Sequence, residues 1–222
     1  VTELPDLKTV LTESAYKAFG RLQGLLLLKD FYMAGGTGLA LRIGHRISVD
    51  FDFFSPVNKL APTAQERLIE HLRQGGDFVI ESIEEGSVQV TLGGAQVSFF
   101  HYPYPLMKPA TEIAGIQVAS LEDIGLMKLA AIISRGGKKD FIDLYFIIRD
   151  HFPLRHLLEL GDKKYREARD FHVQALKALV FFEDAERERM PVMLNDVSWT
   201  EIKKSLAEAV IEATRGEIRK EL

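Results

Sequence analysis

Residues 31–55, FYMAGGTGLALRIGHRISVDFDFFS, decide how this chain is read. The apolar run Phe31-Tyr32-Met33-Ala34 is stopped by Gly35-Gly36, which predicts a buried strand ending in a tight turn. Thr37 follows as an expected helix cap. From Gly38 to His45 the residues Leu39, Leu41 and Ile43 suit a short helix, on which Arg42 and Arg46, four apart, would share one face. Glycine lets backbone approach a ligand closely, and the unpaired amides at a helix start favour an anion, so a phosphate fits this turn. Val49-Asp50-Phe51-Asp52-Phe53-Phe54 then alternates strictly. On a strand, Asp50 and Asp52 fall on one face and Phe51 and Phe53 on the other. Carboxylates two residues apart have their Cα atoms roughly 6.6 Å apart, close enough to converge on one cation. Magnesium suits them, because it binds through one or two carboxylates plus the oxygens of a phosphate substrate. Phosphate turn, helix and Asp-x-Asp strand, in that order, describe a nucleotide and metal site.

Working outward, Leu11 to Lys29 carries Leu11, Ala15, Phe19, Leu22 and Leu26 at helical spacing and predicts an amphipathic helix leading into the first strand. Beyond Ser55-Pro56, Thr63 to Arg73 predicts a helix with Leu68, Ile69 and Leu72 inward, ended by Gly75-Gly76. Phe78 to Ile80, Ser87 to Leu92 and Ala95 to Phe100 then read as short strands. The last two are joined at Gly93-Gly94 as a two-residue hairpin, and Tyr102-Pro103-Tyr104-Pro105 ends the sheet region. From Ser120 the pattern is helical, with Ser120 and Asp123 as a capping signal. Ile124, Lys128, Ala131 and Ile132 share one stripe of Leu121 to Ser134, so a cation sits in an apolar face and must reach water or a carboxylate. After the basic turn Arg135-Gly136-Gly137-Lys138-Lys139, a helix from Asp140 to Ile148 holds Asp140 and Asp143 nearly on one side. An antiparallel pair joined by that turn brings Lys128 towards Asp143. Helices are expected over Leu154 to Leu160, Tyr165 to Phe182 and Trp199 to Leu222, with Leu176, Leu179, Val180, Ile202, Leu206 and Val210 in the core. Glu183 to Arg189 reads as a solvated charge run.

Taken together, Gly35-Gly36-Thr37, Leu39-Ala40-Leu41-Arg42, Arg46 and Ser48-Val49-Asp50-Phe51-Asp52-Phe53-Phe54 resemble the signature of the AbiEii/AbiGii toxin family, a branch of the DNA polymerase β-like nucleotidyltransferases. Lys128 followed by Lys139-Asp140-Phe141-Ile142-Asp143 resembles its downstream signature. The resemblance implies an α+β fold: a nucleotidyltransferase-like mixed sheet with flanking helices, followed by an α-helical C-terminal half. It places a core at residues 1–118 and a helical region at 119–222 that packs on the core and completes the site. It also implies a magnesium-dependent enzyme that moves a nucleoside monophosphate from a nucleoside triphosphate to an acceptor hydroxyl. Asp50, Asp52, Lys128 and Asp143 would be catalytic, and Asp140 is a further candidate. Gly35, Gly36, Thr37, Arg42, Arg46 and Ser48 would bind the triphosphate. Some relatives modify the acceptor end of tRNA, and such a toxin is expected to have a cognate antitoxin protein or to act in phage defence. One departure stands out. Polymerase β-like enzymes carry a third metal-binding carboxylate on a later central strand, whereas Val97-Ser98-Phe99-Phe100-His101 has none. A protein that keeps the fold and binds nucleotide without turnover is therefore the alternative.

Structural readings stand beside these. Arg42 and Arg46 would either grip phosphate or pair with the acids to hold the fold. Lys128 and Asp143 would form either part of a site or a buried ion pair. His45 and His101 show no metal-ligand spacing. Tyr102 and Tyr104 are expected to pack the sheet edge rather than to stack on a base. Composition bounds the rest. In 222 residues, 46% hydrophobic and 27% charged, there is room for a sizeable core, and a net charge of −4 argues against binding nucleic acid over the whole surface. Zero cysteines exclude disulfides and thiolate metal sites and fit a cytoplasmic protein. The apolar runs are too short to span a bilayer, and VTELPDLKTV lacks the features of a secretion signal.

Overall fold

The computed structural model describes residues 4–74 and 76–221, so residues 1–3, Gly75 and Leu222, and the side chains of Leu26, Leu27 and residues 216–221, lie outside the described residues. The chain divides into two compact units, residues 1–120 and 121–222. In chain order the first unit holds α1 (Leu7–Val10), α2 (Glu13–Leu22), a 3-10 turn (Leu26–Asp30), β1 (Tyr32–Ala34), α3 (Gly35–Ile43), β2 (Phe51–Ser55), α4 (Pro62–Arg73), β3 (Phe78–Glu84), β4 (Ser87–Leu92), β5 (Ala95–His101), β6 (Thr111–Ile113) and β7 (Ile116–Val118).

These strands form one mixed sheet in the order β3-β4-β5-β2-β1-β7-β6. β2 with β5 and β1 with β7 are parallel; β1 with β2, joined through α3, and the hairpin pairs are antiparallel. The acidic strand is thus central. One face of it, Phe51 and Phe53, is fully buried with Met33, Val97 and Phe99, under Phe19 and Leu22 of α2 and Leu68 and Leu72 of α4. Phe53 and Phe99 stack there with centroids 5.1 Å apart. Burial of rings of this size is the main force holding β2 in place.

Two of the expected elements of this unit differ in the structure. The helix expected over Leu11 to Lys29 is broken: Thr12 caps α2 by accepting from the Ala15 amide, and the helix stops at Leu22, with Gly24 at a φ of +70°. Leu11, Ala15, Phe19 and Leu22 are nonetheless core residues. Nor does the sheet end at the Tyr-Pro-Tyr-Pro segment. β6 and β7 follow as a hairpin turning at Ala114 and Gly115, both at positive φ, and β7 docks beside β1. With alanine in place of the usual Asn, Asp or Gly at the first turn position, Gly115 alone is a weak hairpin signal.

The second unit is helical: α5 (Leu121–Arg135), α6 (Lys138–Asp150), α7 (Leu154–Lys164), α8 (Phe171–Ala178), α9 (Glu183–Glu186) and α10 (Trp199–Glu221). The helix expected over Tyr165 to Phe182 is cut at Asp170, whose φ is +53°, and only α8 remains of it. Leu179, Ile202 and Leu206 are buried as expected, while Val180 is exposed at 49%. The charge run at Glu183 to Arg189 is tied down. Glu186 pairs with Lys203 and accepts from Trp199 Nε1, and Glu188 Oε2 accepts from the Lys138 amide at 3.0 Å, serving as a remote cap for α6. No helix among the described residues is long and apolar enough to cross a membrane.

Candidate active site

In the first unit the site is assembled where β1 runs into α3. The register pairs Ala34 of β1 with Asp52 of β2, so the last strand residue before the glycine turn lies beside the carboxylate-bearing residue. α3 begins at Gly35, and no side chain caps its N-terminus. Thr37 is therefore inside the helix rather than its cap. Its buried hydroxyl hydrogen-bonds Ser48 Oγ at 2.8 Å and the main-chain oxygen of Asp50, which ties the first turn of α3 to the chain entering β2.

Both glycines are required, for different reasons. Gly35 has a φ of +64°, and a β-carbon there would stand 2.5 Å from Asp52 Oδ2. Gly36 has an ordinary φ, but a β-carbon would stand 2.0 Å from Arg46 Nη2. The turn is thus pressed between a carboxylate and a buried guanidinium. Arg46 does not share a helix face with Arg42, because α3 ends at Ile43 and Gly44 takes the left-handed cap position. Arg42 donates from Nε to Ala119 O at 2.6 Å, and from Nη2 to Val118 O at 2.7 Å and Thr111 Oγ1 at 2.5 Å, so it clamps the end of β7 and the start of β6.

Asp52 and Asp50 are both half-buried, Asp52 within β2 and Asp50 one residue ahead of it. Among the described residues no group of three or more His, Cys, Asp and Glu side chains gathers to hold a metal. The neighbour of Asp52 on β5 is Ser98. A donor set of two carboxylates suits magnesium, which keeps several waters and takes its remaining ligands from substrate phosphates. Ser98 lies on the strand Val97–His101 where a third carboxylate was expected, and the register sets it directly beside Asp52.

In the second unit the Arg135-Gly136-Gly137 turn folds α6 back on α5. Lys128 Nζ lies 2.6 Å from Asp143 Oδ2 and 2.9 Å from Asp140 Oδ1, and all three residues are buried. Arg135 adds a bidentate contact to Asp140, with Nε at 2.9 Å from Oδ2 and Nη2 at 3.2 Å from Oδ1. Burial works to raise the Asp140 carboxyl; the Lys128 charge and the Arg135 hydrogen bonds outweigh it and hold the group below its ordinary value. Arg135 reaches the buried acid from a side chain 69% exposed. Its spacing to Asp140 across a two-glycine turn is the only sequence signal for that contact. A second buried pair, Lys164 with Asp123 at 2.6 Å, links α7 to α5.

Residues 21–216 match the family described as "Nucleotidyl transferase AbiEii toxin, Type IV TA system". The chain belongs to the AbiEii family of nucleotidyltransferase toxins. It is 40% identical over 182 residues to an uncharacterized protein of Aquifex aeolicus (strain VF5), covering 78% of this chain and 83% of that one. The fold is similar to the nucleotidyltransferase toxin MenT4 of Mycobacterium tuberculosis, with a TM-score of 0.60 at 20% identity over 91% of this chain and 86% of that one. It is also similar to a putative nucleotidyltransferase of Helicobacter pylori, with a TM-score of 0.52 at 17% identity over 95% and 99% of the two chains. As an AbiEii protein the chain is a nucleotidyltransferase with the mixed sheet and C-terminal helices of that fold.

Proposed function

We propose that this AbiEii protein transfers a nucleoside monophosphate from a magnesium-bound nucleoside triphosphate to a hydroxyl of an RNA acceptor, tRNA being the acceptor class the family resemblance suggests, and that it is the toxin of a toxin–antitoxin pair. The observation that carries the reading is the apposition of Asp52 to Gly35, the first residue of a helix start without a side-chain cap. A carboxylate and an uncapped helix start lie side by side, and a metal-bound triphosphate needs groups of both kinds.

In this reading Asp50 and Asp52 hold the ion, and the amides of Gly35, Gly36 and Thr37 take the phosphate oxygens. When bound, magnesium supplies charge stabilisation on the phosphate oxygens in the transition state. Arg46 stiffens the turn from behind, Ser48 and Thr37 fix where Asp50 enters, and Arg42 keeps β7 in register. Lys128 and Asp143 form a charged pair within the second unit, with Asp140 completing its charge balance. The acceptor oxygen attacks the α-phosphorus in line, the bond to the β-phosphate oxygen breaks, and pyrophosphate leaves. The acceptor proton is released to water as the new phosphodiester bond forms.

Ser98 beside Asp52 favours a second reading, binding without turnover, since the strand offers no third carboxylate. Incubation with magnesium, total tRNA and each labelled nucleoside triphosphate in turn separates the two. Label entering RNA with wild type and absent with Asp52→Ala is the expected result; nucleotide binding with no transfer from any of the four overturns the transferase reading. Growth arrest on expression, relieved by the neighbouring gene product, tests the pairing.

A further inference from the structure

The sheet carries two aromatic clusters, one on each face, and the core explains only one of them. Phe51, Phe53 and Phe99 are fully buried under α2 and α4. On the opposite face, the face of Asp52, the register sets Tyr32 opposite Phe54 and Phe54 opposite Phe100. Tyr32 and Phe54 stack at 6.1 Å, and Phe54 and Phe100 at 5.4 Å. Tyr102 meets Phe54 edge-on at 5.6 Å, and Tyr104 meets Tyr102 at 5.0 Å. Tyr32 is buried and forms the floor of this run, whereas Phe54, Phe100, Tyr102 and Tyr104 all keep part of their surface exposed. Phe54 is two residues along β2 from Asp52, roughly 6.6 Å away on the same face. The run therefore starts beside the carboxylates and leads away from them.

We propose that Tyr102 and Tyr104, backed by Phe54, form a stacking platform for unpaired bases of the nucleic-acid acceptor, immediately outside the transfer site. This proposal rests on the transferase reading for its location and deepens it by assigning the acceptor path. Aromatic faces bind single-stranded bases with little regard to sequence. A nucleoside triphosphate carries one base, whereas rings in succession offer more face than one base can use, so a strand of several nucleotides fits the run better than the incoming nucleotide. Pro103 and Pro105 flank Tyr104, and a fixed φ at each lowers the conformational entropy lost when the rings are engaged. Tyr102 N also donates to Ser55 O at 2.8 Å, extending the pairing with β2 one step beyond β5 and anchoring the platform to the central strand.

The test uses the full chain and a single-stranded RNA oligonucleotide carrying 2-aminopurine, whose fluorescence falls on stacking and needs no turnover. The double variant Tyr102→Ala/Tyr104→Ala is expected to weaken oligonucleotide binding about tenfold or more and to abolish the quench, while Tyr102→Phe/Tyr104→Phe keeps both. In transfer assays the alanine variant should raise KM for the acceptor and leave KM for the triphosphate unchanged. Binding within about twofold of wild type, or a rise in triphosphate KM instead, overturns the platform. Circular dichroism and melting of both variants, with Tyr104→Ala alone as the milder change beyond the strand, show that the fold is kept. The two readings fail separately. Loss of quench in the alanine variant with no transfer by wild type leaves the platform standing and removes the transferase. Transfer abolished by Asp52→Ala but indifferent to the tyrosines does the reverse.

Discussion

Gly36 and Arg46 share a space that holds only one of them plus a hydrogen: a β-carbon on Gly36 would lie 2.0 Å from the guanidinium nitrogen Nη2. Gly36→Ala must therefore push a buried arginine aside. A loss of roughly 1–3 kcal/mol in urea unfolding is expected, the usual cost of overpacking, together with loss of transfer. Gly35→Ala combines a clash with Asp52 and a left-handed φ of +64°, so it should be at least as damaging. Wild-type stability in both variants would show that the turn gives way easily and that the close approaches are not functional constraints.

Arg42 spends Nε and Nη2 on Ala119, Val118 and Thr111. Arg42→Ala should speed amide hydrogen exchange across β6 and β7, residues 111–119, while exchange in β4 and β5 stays as in wild type. Unchanged exchange at 111–119 would mean that the clamp is dispensable and would return Arg42 to the pool of phosphate ligands.

Asp140 offers a pH signature. Its folded value lies below the ordinary 3.8, so the native state binds fewer protons than the unfolded chain between the two values. The stability it contributes is fully present above the ordinary value and is lost as the pH falls through the depressed one. Asp140→Asn should cost roughly 1–3 kcal/mol at pH 7, and the gap to wild type should close below about pH 4. A gap that stays constant down to pH 3 would mean that the carboxylate charge is not what holds α5 to α6.

The Lys164 and Asp123 pair tests burial in isolation, since both side chains are fully shielded from solvent. Burial drives Lys164 below its ordinary value, and Asp123 works against that shift. Removing one partner strands a buried charge, so Lys164→Met is expected to cost about 3–5 kcal/mol by urea unfolding. Lys164→Met/Asp123→Leu should recover most of that loss. A double variant as unstable as the single one would show that the pair carries more than its own desolvation balance.

Much of the geometry around the candidate site residues was legible because those residues sit close together in the chain. Glycine turn, short helix and alternating acids between Ala34 and Phe54 need only local rules of φ, period and capping, and the register confirms Phe51 and Phe53 as core. The Lys128 contacts were legible for the same reason, a helix period on either side of one short turn. What escaped depends on distant partners. Ser98 meets Asp52 only through a parallel crossover, Glu188 caps α6 from 50 residues away, and the β6–β7 hairpin turns on an alanine. Arg46 followed Arg42 at helical spacing, yet Gly44 ended the helix between them, because a left-handed cap outweighs the period of its neighbours.

The outermost strand, β3, has consequences for how the protein behaves in a concentrated solution. Val79, Ile80 and Ile83 are all solvent-exposed along a border of the sheet that pairs on one side only. Such a ribbon invites edge-to-edge stacking into aggregates, and Glu81 interrupts it at mid-length, its carboxylate held by the Thr91 hydroxyl at 2.7 Å. With Glu84 at the strand's end, Glu81 acts as a gatekeeper, and Glu81→Val is expected to turn a well-behaved sample into a precipitating one before any loss of native structure.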